Sequence, residues 1–430
     1  MADKRIRVAM ICHFSNSEVR KRLPLDSRKL YVFARWLLRM SSKGKGYGDI
    51  APWDSNLIAG FKERDDVELH VISAHSGLKK KTISFAIDNV SYNFVRCDDA
   101  TLLKRLMPIP KVWLKMNPLR KRVRRIIETI NPDIVLLFGA ENAYISSTIL
   151  DLGSYPRMVM CQTIYNNPKR KEFDKVDRIN AYVEREIFSS NKYFSFISEM
   201  HRDLFAPMRP NAYMFHWSAE TPYPEVNSIK EKEYDFVNFA LGMSPKKGYP
   251  DSIEALAIVK QRFSNVKLNL VGGGSVEYKA ELMELVKKLG LQDNVVMTPF
   301  FEKHEDLFQH LQKSRYAVLP CKMDYVAGTM MQSMHYGLPL VVYETSGTPT
   351  LNAEGECVLI AKHNNIEDLA QNMLWLLDNP EQAKSMAERA KAFADSKTDL
   401  RKAVNEIVQN CQAIVKHEKE SVKIPEDLLF

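Results

Sequence analysis

The chain has 430 residues, 45% hydrophobic and 27% charged, with a formal net charge of +8. This balance excludes a globally disordered chain and supplies apolar mass for two packed cores, at roughly 100–200 residues per domain. Six cysteines at 12, 97, 161, 321, 357 and 411 form no Cys-x-x-Cys pair and meet no histidine cluster, which argues against a disulfide framework or a zinc site and fits a reducing cytosol.

The excess positive charge asks for an anionic partner: nucleic acid, lipid headgroups and sugar nucleotides all qualify. The opening segment MADKRIRVAMICHF turns polar after a short apolar stretch. It reads as a first strand rather than a signal peptide. No run approaches the roughly 18 apolar residues of a membrane span.

IRVAMIC (6–12) is the first predicted strand. A long non-strand insertion, 14–52, follows it. Within it, SRKLYVFARWLLRM (27–40) sets Leu30, Phe33, Ala34 and Leu37 on one helical face beside Arg28, Lys29, Arg35 and Arg39, and SSKGKGYGD (41–49) reads either as a lid or as a plain surface loop. VELHVIS (67–73), DIVLLFG (133–139) and RMVMCQT (157–163) continue the strand series, with helical stretches such as NPLRKRVRRIIETI between.

Residues 101–127 hold nine basic residues and no acidic one, interleaved with Leu102, Leu103, Leu106, Met107, Trp113, Leu114 and Met116. Two readings stand: an interfacial surface for anionic lipid, or a solvated basic face over ordinary core helices. Nucleic acid is not expected, since no recognition module appears.

Residues 217–233, WSAETPYPEVNSIKEKE, are polar and carry two prolines, the composition of a linker. A second series follows: DFVNFAL (235–241), VKLNLVGGG (266–274), NVVMTPF (294–300), RYAVLP (315–320), LPLVVYE (338–344) and CVLIA (357–361). Helices separate these strands. IEDLAQNMLWLLDN sets Leu369, Met373, Leu374 and Leu377 on one face.

Alternating strands and helices imply doubly wound parallel sheets. The expected plan is α/β. An N-terminal Rossmann-like domain spans 1–216, a linker 217–233 and a second Rossmann-like domain 234–405. A terminal helix and tail, 406–430, follow, and the helix RKAVNEIVQNCQAIVKH (401–417) is expected to cross back and pack on the first domain. Ligands of such sheets bind beyond the strands' carboxyl ends, and a cleft between two such domains is the expected place.

The densest motif is DYVAGTMMQSMHYGLPLVV (324–342). A strand ends at Pro320, a helix begins near Ala327–Gly328, Gly337 suits a left-handed stop and Pro339 blocks continuation. The amides of Gly328 and Thr329 open the helix, where N–H groups lack intrahelical partners and carry partial positive charge. That is a site for a phosphate. Asp324 before it and Gln332 one turn into it can hold sugar hydroxyls on either side of a diphosphate. The plain alternative is an ordinary helix start with a polar first turn.

This stretch resembles the signature of the retaining group 1 glycosyltransferases, family four, of GT-B fold. Their pattern is a Glu, seven residues, and a second Glu opening Glu-Ala-Met-Ala-x-Gly-x-Pro-Val-Val. Gln332 to Val342 matches that segment, and Asp324 holds the first Glu position. LGMSPKKGYPDSIEALAIV (241–259) resembles the family's Gly-Arg-x-x-x-x-Lys-Gly stretch, with Lys247-Gly248 retained and Gly242 or Met243 in place of its Arg. Residues 268–300 and 314–322 resemble its next strands. Segments 49–73 and 132–142 look like parts of bacterial capsule and exopolysaccharide members.

The resemblance implies transfer of a sugar from a nucleotide diphosphate, UDP or GDP, to a glycan or lipid-linked acceptor, with retained configuration and no essential cofactor or metal. The implied donor site is Ser244, Lys246, Lys247, Gly272, Gly273, Phe300, Phe301, Asp324, Ala327, Gly328, Thr329 and Gln332. Lys247 and Asp324 serve the chemistry. Gly272–Gly274 is also read as a plain tight turn, and Phe300 and Phe301 also as core. In the N-terminal domain His13, Trp53 in the APW turn and Glu141 lie at predicted carboxyl edges. Glu141 or His13 orients or deprotonates the acceptor hydroxyl, or is a hydrogen-bonded structural residue. The alternative function is a catalytically weak partner subunit that binds a sugar nucleotide. The expected location is cytoplasmic, peripheral on the inner membrane face if the basic surface binds lipid.

Overall fold

A computed structural model describes residues 5–25, 51–98, 109–168, 175–218, 223–301, 303–323 and 326–430. The chain divides into two units, 1–221 with 399–430, and 222–398.

The first unit holds eight strands: β1 (Ile6–Cys12), β2 (Val67–His75), β3 (Thr82–Ile87), β4 (Val90–Arg96), β5 (Ile134–Phe138), β6 (Arg157–Met160), β7 (Tyr193–Phe196) and β8 (Tyr213–His216). Their order is β3-β4-β2-β1-β5-β6-β7-β8. All neighbours run parallel except β3 and β4, an antiparallel edge hairpin.

The sheet is covered on both faces, so β5 throughout and β1 from Val8 onward are apolar at successive positions rather than at every second one. Val8, Met10 and Cys12 of β1 pack into one core, and Ala9 and Ile11 into the other. In β5, Ile134, Leu136 and Phe138 oppose Val135 and Leu137 in the same way. The first core is closed by Leu57 and Phe61 of the helix Pro52–Lys62, and by Ala403, Val404, Ile407, Cys411 and Ile414 of the helix Leu400–Glu420. The second is closed by Trp113, Leu119, Val123 and Ile127, and by Ile179, Val183 and Ile187 of the helix Lys175–Ser190.

The second unit holds β9 (Tyr234–Gly242), β10 (Leu268–Gly273), β11 (Val295–Thr298), β12 (Ser314–Leu319), β13 (Leu340–Tyr343) and β14 (Leu359–Ala361), in the order β11-β10-β9-β12-β13-β14 and all parallel. In each sheet the strand order reverses once, between β1 and β5 in the first and between β9 and β12 in the second. A loop leaves each side of such a switch point in opposite directions and opens a crevice at the carboxyl edge.

The structure differs from the sequence-based plan at several points. Trp217, the first residue of the predicted linker, is buried in the first unit's core, edge-on to Phe138 at 5.8 Å. Residues 223–233 are tied to the second unit. Asn227 and Gln309 exchange two 2.9 Å hydrogen bonds, and Lys313 pairs with Glu233 at 2.8 Å. The returning segment begins at 399, not 406, because Ala403 and Val404 already belong to the first core. Trp53 lies in the first turn of a helix begun by Pro52, not in a turn. Trp113 and Leu114 are buried, so neither is a surface anchor. Strands β3, β4, β7 and β8 were absent from the plan. The 27–40 helix and the 41–49 lid lie outside the described residues.

Candidate active site

In the second unit the switch-point loops are laced together by backbone. After β9, Ser244 leads into a single turn, Pro245–Lys247, closed by Lys247 N donating to Ser244 O and Gly248 N to Pro245 O, both at 3.0 Å. Gly248 then takes φ of 70°, and a Cβ there would overlap the carbonyl oxygen of Pro320, the first residue after β12. Lys322 N donates to Lys246 O at 2.9 Å, so the two loops form one ledge.

Beneath the ledge Asp251 is buried, pairing with Lys322 Nζ and accepting from the Tyr343 hydroxyl, each at 3.0 Å. Gly248→Ala therefore meets both a left-handed backbone and a backbone clash. It should lower unfolding stability by about 2 kcal/mol or more, read from urea denaturation midpoints. An unchanged midpoint would show that the ledge relaxes freely.

The helix Gly328–His335 starts on the far side of this ledge in sequence. Ala327 is its extended N-cap residue and no side chain caps it. Met330 N reaches back to Ala327 O at 2.8 Å, leaving Gly328 and Thr329 as the leading amides. Gly328 is exposed and Thr329 half-buried. Gln332 is half-buried one turn on. Gly337, at φ 67°, ends the helix. Lys246 and Lys247 are each half-buried. An uncapped positive helix start, on the chain that leaves the Lys322–Lys246 backbone contact, is an arrangement suited to an anion. Asp324 lies outside the described residues.

The glycine turn flanks this edge. A Cβ at Gly272 would overlap the Ala240 carbonyl oxygen, so β9 and β10 approach closely there. Phe300 sits beside Gly273 and is 38% exposed, as Leu241 is at 43%. Phe301 instead packs against the core, its ring 5.1 Å from that of His310. The two phenylalanines thus divide: Phe300 presents its ring at the strand ends, and Phe301 is structural.

In the first unit, His13 follows β1 and Glu141 follows β5, the two strands flanking that switch point. The Tyr144 hydroxyl hydrogen-bonds His13 Nδ1. Glu141 folds back over Gly139, whose φ is 83° and whose missing Cβ leaves room for the carboxyl. Its Oε2 is buried without a hydrogen-bond partner. Burial, and next the charge of Glu184, push its pKa up from 4.5 to about 7.

Glu184 itself is fully buried and accepts from Tyr165 N at 2.9 Å, Asn166 N at 2.8 Å and Asn166 Nδ2 at 2.8 Å. It therefore orders the loop after β6. The backbone of Trp53 is near the same edge, since Ala51 N donates to Ser15 O at 3.3 Å; its side chain lies outside the described set.

Two sheets of this order, the first parallel but for its β3–β4 edge hairpin and the second parallel throughout, match solved structures over nearly the whole chain. Anabaena HepE, solved in complex with UDP and glucose, aligns at a TM-score of 0.63 and 14% identity, over 95% of this chain and 100% of HepE. The fold is GT-B. Residues 222–393, all within the second unit, match the family model Glycosyl transferases group 1.

Among curated relatives, the alpha-D-kanosaminyltransferase of Streptomyces kanamyceticus is 26% identical over 165 residues, 38% of this chain and 42% of that protein. The amylovoran biosynthesis glycosyltransferase AmsK of Erwinia amylovora is 28% identical over 140 residues, 31% of this chain and 34% of that protein. The chain thus spans about two-fifths or less of the length of these relatives.

Sequence reasoning passed over Asp251, Lys322, Tyr144 and Glu184. Only Glu184 left a signal. Asp177, Asn180 and Glu184 recur at i, i+3 and i+7 alongside the apolar face of Ile179, Val183 and Ile187, and all three polar residues are buried.

Proposed function

We propose that the chain is a retaining group 1 glycosyltransferase that moves a sugar from a nucleoside diphosphate to a hydroxyl of a glycan or lipid-linked acceptor, in polysaccharide or glycoconjugate synthesis. The observation that carries this reading is the uncapped start of the helix Gly328–His335 beside the Lys246–Lys247 turn at the second sheet's switch point. The match of residues 222–393 to a glycosyl transferase family supports it. HepE's complex with UDP and glucose supports a UDP-sugar as the first donor to test.

In this reading the bond from the sugar's anomeric carbon to the diphosphate breaks, and one to the acceptor oxygen forms on the same face. Charge builds on the diphosphate as it leaves. Lys247, Lys246 and the Gly328 and Thr329 amides stabilise that charge in place, without reorganisation. Ser244 adds a hydroxyl donor, and Gln332 holds a ribose hydroxyl. The glycine turn lets backbone approach the nucleotide, with Phe300 against the base. Asp324 contacts the donor sugar. Glu141, assisted by His13, receives or orients the acceptor proton, and Trp53 flanks the acceptor. No divalent ion is assigned a role. The enzyme works in the cytoplasm.

The test is turnover of UDP-, GDP- and ADP-sugars with and without a polyprenyl-linked acceptor, with the anomeric configuration of the product read by NMR. One donor should be turned over with its configuration kept. Tight donor binding without turnover of any donor would remove the enzymatic reading.

A further inference from the structure

The helix Pro110–Met116 in the first unit carries two unlike faces. Its inner face is ordinary core, with Trp113 fully buried and Leu114 nearly so. Its outer face is not. Ile109, the N-cap residue, is 61% exposed, Val112 39% and Met116 47%. At i, i+3 and i+7 these three lie on one side of the helix. Lys111 and Lys115, four residues apart and both exposed, form the adjoining stripe.

The following helix, Leu119–Ile130, exposes Lys121, Arg124 and Arg125. Arg120 is engaged by Asp151, and Arg124 by Glu128 at 2.8 Å. Lys111, Lys115, Lys121 and Arg125 meet no carboxylate among the described residues. No acidic residue occurs from 109 to 127.

We infer that the face made by Ile109, Val112 and Met116 with Lys111 and Lys115 docks on an anionic lipid bilayer. The apolar side chains enter the headgroup–acyl boundary while the ammonium groups stay at the phosphate level. Both halves of the surface are needed for that occupant. A nucleic-acid face has no use for three exposed aliphatic side chains, and the one aromatic of this helix that could stack on a base, Trp113, is sealed in the core. Three short anchors and a few cations give reversible binding rather than permanent anchoring. Docking requires no donor sugar, so it stands or falls apart from the transfer reaction.

Vesicle flotation of the full chain tests this, with phosphatidylglycerol–phosphatidylcholine vesicles against phosphatidylcholine alone. The protein should float with the anionic vesicles only and be released by high salt. Lys111→Gln with Lys115→Gln should weaken partition about 30-fold, since each cation near an anionic surface contributes about 1 kcal/mol and about 1.4 kcal/mol is tenfold. Val112→Ser with Met116→Ser should weaken binding at low salt although every cation is kept. All four positions are exposed, and unchanged melting curves will show that the variants fold. Equal flotation on neutral and anionic vesicles overturns the assignment, as does wild-type binding by either double variant. Retention on heparin or DNA without flotation also overturns it, giving the face to a soluble polyanion.

Discussion

Lys247→Ala should reduce kcat for sugar transfer by roughly 10²–10³-fold, the loss seen when one preorganised donor to developing negative charge is removed. That corresponds to about 2.7–4 kcal/mol of transition-state stabilisation. Lys247 stands on a turn closed by two 3.0 Å hydrogen bonds and followed by a glycine at φ 70°, so the backbone positions the ammonium group and alanine leaves that backbone intact. Lys247→Arg should recover part of the rate, because charge is kept while the point-like geometry is not. Donor affinity, measured by calorimetry with the nucleoside diphosphate, should fall with kcat. Unchanged affinity and rate in Lys247→Ala would refute the diphosphate assignment.

Glu141→Gln is the second large effect, and it should move activity and stability in opposite directions. The Glu141 pKa is raised from 4.5 to about 7, first by burial and next by Glu184. The folded protein therefore holds a proton there that the unfolded chain has lost. Between pH 4.5 and 7 the folded state binds more protons, so stability falls as pH rises through that window and levels off above it. A shift of that size corresponds to a cost of about 3 kcal/mol at pH 8 as an upper figure.

Glutamine keeps the shape and carries no charge. Its thermal midpoint should match the wild type near pH 4.5 and exceed it increasingly toward pH 8. Transfer activity should instead drop by roughly 10²–10⁴-fold, and the limb of the pH–rate profile near 7 should vanish. A variant as active as wild type with the same profile would remove Glu141 from the acceptor chemistry. A stability gap that does not change with pH would show that the carboxyl ionises normally.

Such a residue carries a stability cost that packing alone does not require, which is a common mark of a working site. It is also what one-dimensional reading handles worst. Glu141 is visible in the sequence as an acid after an apolar strand. Its raised pKa, however, depends on the fold back over Gly139 at φ of 83° and on a helix more than thirty residues downstream supplying the charge of Glu184. The limits of the helix Gly328–His335 were legible because cap chemistry is local: Gly337 where φ is positive and Pro339 where a helix must stop, whereas Lys247 and Gly248 entered through the family resemblance. Asp251 and Lys322 were not legible, because their ion pair spans the switch point and joins residues about seventy apart.

The strands divide in the same way. β5 and β13 are buried at every position and appear as unbroken apolar runs, and β1 does so from Val8 to Cys12. The β3–β4 hairpin carries an alternating edge strand, TISFAI, and turns at Asp88-Asn89, with Asp88 at φ 53°. The more familiar Asn-Gly or Asp-Gly signal is missing there. β7 and β8 have four residues each, two of them polar or aromatic enough to pass for loop.

The helix Leu400–Glu420 belongs to the first unit although the whole of the second precedes it in the chain. During synthesis the ribosome therefore releases residues 222–398, a continuous segment able to fold as it emerges, while the first unit still lacks Ala403, Val404, Ile407, Cys411 and Ile414. The face of the helix Pro52–Lys62 at Gly60, which Val404 and Leu400 meet in the finished fold, lacks that cover through the interval. Exposed apolar surface of this kind is what chaperones hold and what nucleates aggregation. The order of maturation is thus inverted relative to the order of translation: the unit begun second is complete first.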